Sequence, residues 1–190
     1  NESEEKVDLD ESDGAKRIKY VVDDVEVMVV NERVEYYDKD GKLVTESLKG
    51  YTRKNIRNEY ASLDEFINRW NSEDKKSAII EELKERGIFL DAVREEVGKD
   101  LDDFDLILHL AFDQKPLTRK ERANNVRKRN YFSKYSDVAR EVLEALLDKY
   151  MNEGITELEN MEILKLEPFK RIGTPAKIIK AFGGKDKYIQ

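Results

Sequence analysis

The sequence predicts a mainly α protein, a helical bundle-like domain preceded by a small antiparallel β element. Between Ile18 and Thr45, β-branched and aromatic residues partly alternate and are punctuated by turn residues. Beyond Gly50 the apolar residues recur at helical spacing behind legible start signals. Composition agrees: of 190 residues 41% are charged and only three are proline and nine glycine, which favours helices with solvated outer faces. A hydrophobic content of 39% is enough to bury a sizeable core.

Residues 1–16 carry seven carboxylates against Lys6 and Lys16, a net charge of −5 without hydrophobic periodicity, and read as an acidic linker. Strands are expected over 18–22, 25–30, 33–37 and 43–45, with Asp23-Asp24 and Lys39-Asp40-Gly41 as turns, so that 17–50 forms the β element. Such a meander is marginal alone and needs a partner for its apolar face. Residues 51–190 are expected to form the helical C-terminal domain, with helices near 52–60, 63–70, 73–86, 89–97, 102–114, 119–133, 137–152 and 175–182. Ser62–Glu65 and Thr118–Glu121 both fit the capping box, and Thr174-Pro175 pairs an N-cap with a proline at the first helical position. Gly87, Gly98, Pro116, Gly154 and Gly173 punctuate these helices. Val138, Ala139, Val142, Leu143, Leu146, Leu147 and Tyr150 make a broad stripe on helix 137–152, the clearest core element.

Several chemistries lack their residues. No segment has the GxxxxGK[ST] form that cradles phosphates, and Gly183-Gly184-Lys185 follows a predicted helix and lacks the hydroxyl residue. One histidine and no cysteine leave no ordinary zinc site, disulfide framework or thiolate chemistry. The lack of cysteine fits a reducing compartment, so a cytoplasmic location is expected. No apolar run approaches a membrane span, and no membrane partner is expected. Glu73-Asp74-Lys75 and Glu82-Leu83-Lys84 match a short motif of metal-dependent nucleases, but they sit on predicted helices without a strand-borne acidic partner and read as solvated faces. The chain starts at Asn1 without methionine and stops at Gln190 within a predicted helix, so it is expected to be a piece of something longer.

Two constellations stand out. Asp105, His109 and Asp113 lie at i, i+4, i+8 along one helix face, a spacing that suits an acid/base pair or a weak metal site, or else a polar stripe that anchors the helix through ion pairs. Residues 115–134 hold eight basic side chains (Lys115, Arg119, Lys120, Arg122, Arg127, Lys128, Arg129 and Lys134) against Glu121, a net charge of +7. Such a helix contacts nucleic acid or an acidic partner, or pairs with acids of its own chain. The candidate contacts are Arg119, Lys120, Arg122, Arg127, Lys128 and Arg129. Apolar residues after Gly154 are numerous for short turns, so Phe169, Ile172, Ile178, Ile179 and Phe182 are candidates for a docking surface, the alternative being that they close the domain's own core.

The chain also resembles a known family. LKGYTRKNI (48–56), the long block 78–128 that contains LTRKERA, the block 142–169 that contains LDKYMNEGI, and GTPAKIIKAFGGKDKYI (173–189) resemble, in order, the C-terminal region of the restriction (R) subunit of type I restriction-modification enzymes. The resemblance covers about residues 17–190. It implies a non-catalytic assembly and motor-support domain within an ATP-dependent, DNA-translocating endonuclease that defends against foreign DNA. Its implied partners are the modification (methyltransferase) and specificity subunits, with DNA reached through the full complex. ATP and magnesium are implied for the parent subunit, whose nuclease and motor motifs are not found in this chain, and no catalytic, cofactor or metal residue is carried over. Two other readings stay open: an autonomous DNA-binding module built on helix 119–133, and an acid/base enzyme built on Asp105 and His109.

Overall fold

The computed structural model describes residues 6–9, 16–22 and 24–189. They fall into two compact units, divided at the Pro116–Leu117 bond. The structure is mainly helical with an antiparallel sheet at its start. The division at 116 falls inside the stretch 51–190 expected to be one helical domain, so the first helices belong with the sheet.

In the first unit, β1 (Lys6–Leu9), β2 (Lys16–Val22), β3 (Val25–Val30), β4 (Arg33–Tyr37) and β5 (Leu43–Ser47) pair antiparallel in sequence order. β1 lies within the expected acidic linker; residues 1–5 and 10–15 of that linker are outside the described residues. The alternation Lys6-Val7-Asp8-Leu9 is a strand signal hidden by the run of carboxylates, and it pairs Val7 with Ile18. Asn31, at φ 54°, turns β3 into β4, a left-handed step that asparagine tolerates. In the next turn the Asp38 carboxylate accepts the backbone N–H groups of Asp40 and Lys42 at 3.0 and 2.9 Å.

The register sets Ile18 against Val29, Tyr20 against Val27 and Val29 against Val34, and all are buried, so one face of the sheet is apolar and covered. Helices α1 (Leu48–Glu59), α2 (Leu63–Ser72), α3 (Lys76–Glu85), α4 (Leu90–Val97) and α5 (Asp103–Phe112) complete the unit. Phe89, just before α4, stacks on Tyr20 with ring centroids 3.8 Å apart, and Tyr51 of α1 meets Tyr36 at 5.5 Å. These aromatic contacts supply the partner that the meander needs. α1 begins four residues earlier than expected because Ser47 is its N-cap, accepting from the N–H of Gly50 at 3.1 Å. A β-carbon at position 50 would lie 2.9 Å from that hydroxyl oxygen, so glycine here makes room for the cap.

Ser62 caps α2 through the N–H of Glu65, while the Glu65 carboxylate reaches back to the N–H of Ala61 at 2.9 Å. The expected box thus closes one residue further out. Arg69 joins α2 to α3 through Glu73 and Glu82, at 2.7 and 3.0 Å. Phe66 and Trp70 of α2 meet Phe104 of α5 with centroids 5.7 and 5.3 Å apart, an aromatic cluster that binds the two helices.

The second unit contains α6 (Arg119–Lys128), α7 (Asp137–Glu153), α8 (Phe169–Ile172), α9 (Pro175–Ala181) and α10 (Lys185–Ile189), with 3-10 turns at Tyr131–Lys134, Thr156–Glu159 and Met161–Lys165. α6 ends five residues before the expected boundary, because Asn130 adopts a left-handed conformation at φ 54° and starts a 3-10 turn. The core is formed by Val142, Ile163, Leu164, Phe169 and Ile178. Among the described residues no helix is long and apolar enough to cross a membrane.

Candidate functional site

α6 starts with the predicted capping box: Thr118 accepts from the N–H of Glu121 at 3.2 Å, and the Glu121 carboxylate accepts the Thr118 N–H at 2.8 Å. This fixes the helix and the sides its cations take. Ala123 is buried, and Arg127 turns towards α7, where Nε donates to Glu144 at 2.8 Å and a terminal nitrogen to Asp148 at 2.7 Å. Those hydrogen bonds raise the Arg127 pKa above its already high value, so the guanidinium stays charged. Arg119 and Arg122 are partly buried and engaged as well. Arg129 donates to the Tyr131 hydroxyl at 3.2 Å. Lys120 and Lys128 are exposed. Of the six basic candidates, at least Arg127 therefore serves the intramolecular pairing that the sequence left open.

The row on α5 is not a triad. Asp105 is 1% exposed and engaged within the protein. His109 Nδ1 lies 3.2 Å from the carbonyl oxygen of Gln114. Asp113 leaves the helix in a left-handed C-cap at φ 53°, and its carboxylate is held by Arg53 and Arg57 of α1. The same two arginines donate through Nε to the carbonyl oxygens of Leu110 and Ala111, at 2.5 and 2.6 Å. Two cations thus satisfy the open carbonyls and negative dipole end of α5. The spacing Arg53-x-x-x-Arg57 is visible in the sequence, but what it holds lies more than fifty residues away. Among the described residues no group of three or more His, Asp or Glu side chains is placed to hold a metal.

The apolar docking candidates lie in or against the core of the second unit. Phe169 and Ile178 are 0% exposed in the core of the second unit, and Ile172, Ile179 and Phe182 pack against that core. They close their own unit, because short helices linked by glycines fold back onto α7 and bury more apolar surface than their lengths suggest. The sequence reading missed the outer side of the same helices, where Lys170, Lys177, Lys180, Lys185 and Lys187 are exposed. Counting charge segment by segment would have found them.

A cavity of about 340 Å³ opens in the first unit between β2, β3 and α4, with Glu32, Asp91, Glu95 and Glu96 in its lining. Its carboxylates do not suit a nucleotide phosphate. The turn Gly183-Gly184 joins two helices and is not preceded by a strand, so this turn does not have the context of a phosphate-binding loop.

Sheet, helices and ion pairs such as Arg127 with Glu144 and Asp148 together define a mainly helical module with a small antiparallel sheet. The chain belongs to the EcoEI R protein C-terminal family, whose model matches residues 46–190. It is 55% identical over 183 residues to the type I restriction enzyme EcoAI endonuclease subunit of Escherichia coli. That match covers 96% of this chain and 23% of the relative, so the chain spans about a quarter of the relative's length. No solved structure matches it.

Proposed function

We propose that this chain is the assembly and motor-support region of the R subunit of a type I restriction enzyme, docking the motor and nuclease onto a core of modification and specificity subunits. Collinear identity of 55% with a type I endonuclease subunit is the observation that carries the reading. The internal use of Arg127, Asp113 and Asp105 supports a structural role over acid/base catalysis. ATP and magnesium belong, in this reading, to other parts of the subunit, and DNA is reached through the assembled complex in the cytoplasm. The chain itself performs no bond-breaking step.

The test is co-expression of the tagged chain with the modification and specificity subunits of its own system. The expected result is a stable complex on affinity purification, with no magnesium-dependent ATP hydrolysis or DNA cleavage by the chain alone. A folded chain, helical by circular dichroism, that never co-purifies with either subunit refutes the docking role.

A further inference from the structure

Charge is distributed along this chain in a way that its overall −7 conceals. Residues 1–116 sum to −12 and residues 117–190 to +5. Within the second unit, residues 117–168 are neutral, because ten acids offset ten cations. The whole excess of +5 lies in residues 169–190, where six cations meet only Asp186.

Several cations are engaged by nearby acids, although Lys120 and Lys128 of the first group are exposed like the lysines of the second. Arg127 pairs with Glu144 and Asp148, Arg140 with Asp137, Lys149 with Glu153, Lys165 with Glu162, and Arg171 with Glu167. Lys170, Lys177, Lys180, Lys185 and Lys187 are all exposed, and none forms an ion pair with a described residue. Their elements are held from the other side: Ile178 is buried, Ile179 and Phe182 pack on the core, and Phe182 meets Tyr188 edge to face at 5.1 Å. On α9, Lys177 and Lys180 lie about 100° and about 160° around the helix from the buried Ile178, on the side away from the core. The lysines are therefore presented by anchored helices.

Glycine opens the backbone beside them. A β-carbon at Gly173 would lie 2.9 Å from Cδ of Lys177, and one at Gly183 would lie 3.2 Å from Cδ of Lys187. Both lysine stems thus lie along bare backbone. At Gly184, with φ +120°, nothing stands within 4 Å, leaving room for a close approach.

We infer that the outer side of α8–α10 is a binding surface for the phosphodiester backbone of duplex DNA. Lysines supply point charges without the planar fork that reads base edges, so the contact is independent of sequence. Tyr188 and Phe182 are turned into the core, which leaves these helices without a stacking platform for single strands. This surface is separate from the docking role proposed above, and its test needs no partner subunit.

The test uses the whole chain and a fluorescein-labelled random-sequence duplex of about 25 base pairs, with anisotropy read between 50 and 200 mM salt. With four of the lysines on phosphates, each adding a slope of about 0.9 in log affinity against log salt, affinity should fall about a hundredfold over that range. Lys177→Gln, Lys180→Gln, Lys185→Gln and Lys187→Gln combined should remove most of that slope, while Lys120→Gln with Lys128→Gln should leave it in place. All these positions are exposed, and circular dichroism checks that the variants fold. The inference is overturned by a folded chain that does not bind at 50 mM salt, or by a quadruple variant with the wild-type slope. It is equally overturned if polyglutamate of matched charge competes as well as unlabelled duplex, which would assign the surface to an acidic protein.

Discussion

Truncating Phe169 to alanine separates a core role from a docking role. The side chain is 0% exposed and sits among Val142, Ile163, Leu164 and Ile178. Removing a buried phenyl ring loses its transfer free energy and leaves a cavity, together about 3–4 kcal/mol. A unit of this size is held by about 4–10 kcal/mol in total, so the loss is a third of its stability or more. Urea denaturation of the whole chain, followed by far-ultraviolet circular dichroism, should show it: with a slope of about 1 kcal/mol/M the midpoint of the second unit moves down by about 3 M. The single tryptophan, Trp70, lies in the first unit, so its fluorescence reports that unit separately. Phe169→Leu retains most of the volume and should cost about 1 kcal/mol. A midpoint shift below about 0.5 M for Phe169→Ala would refute the packing argument and return this residue to the docking surface.

Three other outcomes follow from particular contacts. Arg127→Met should cost no more than about 1 kcal/mol, because Glu144 and Asp148 are about half exposed, and a double-mutant cycle with Asp148→Asn should show a coupling of about 0.5 kcal/mol; zero coupling would remove this pair from the α6–α7 contact. Gly87→Ala places a β-carbon 2.9 Å from the Tyr51 hydroxyl oxygen and 3.2 Å from Val22 at φ +77°, so the Trp70-detected transition should lose about 1–3 kcal/mol, and an unchanged transition contradicts that strain. The hydrogen bond from Arg69 holds the Glu73 carboxyl below its ordinary value of 4.5. Its contribution to folding is therefore full above that value and lost as pH falls through the lower folded one; carboxyl NMR should show the midpoint rise towards the ordinary value in Arg69→Gln, and identical midpoints in both proteins would exclude the pairing.

Much of the fold was legible because its signals are local. A hydroxyl residue three positions before a glutamate, a proline after Thr174, and alternating β-branched residues between acidic or glycine turns each act within about four residues, and the capping box at Thr118 and the cap at Thr174 stand where the sequence put them. The first turn of α1 is hidden in the sequence because Gly50 resembles a break, whereas it makes room for the Ser47 hydroxyl. The end of α6 is hidden in the same way, because a single left-handed asparagine, Asn130, carries little weight in a pattern of charges.

The candidate site was less legible, and the reason is electrostatic. A linear count sees +7 around α6, but Glu144 and Asp148, 17 and 21 residues beyond Arg127, reach it only after α7 folds back alongside. In the same way Asp113 looks like a partner of His109 until α1 brings Arg53 and Arg57 to the end of α5. The sequence by itself determined the course of strands β2 to β5 and of most of the longer helices, and which chemistries lack their groups. Only the tertiary structure decided which cations are spent inside the molecule, which lysines still face solvent, and that Phe169 and Ile178 fill a core. Charge and apolar surface act over distances of several ångströms in space, and the chain brings together groups that its order keeps apart.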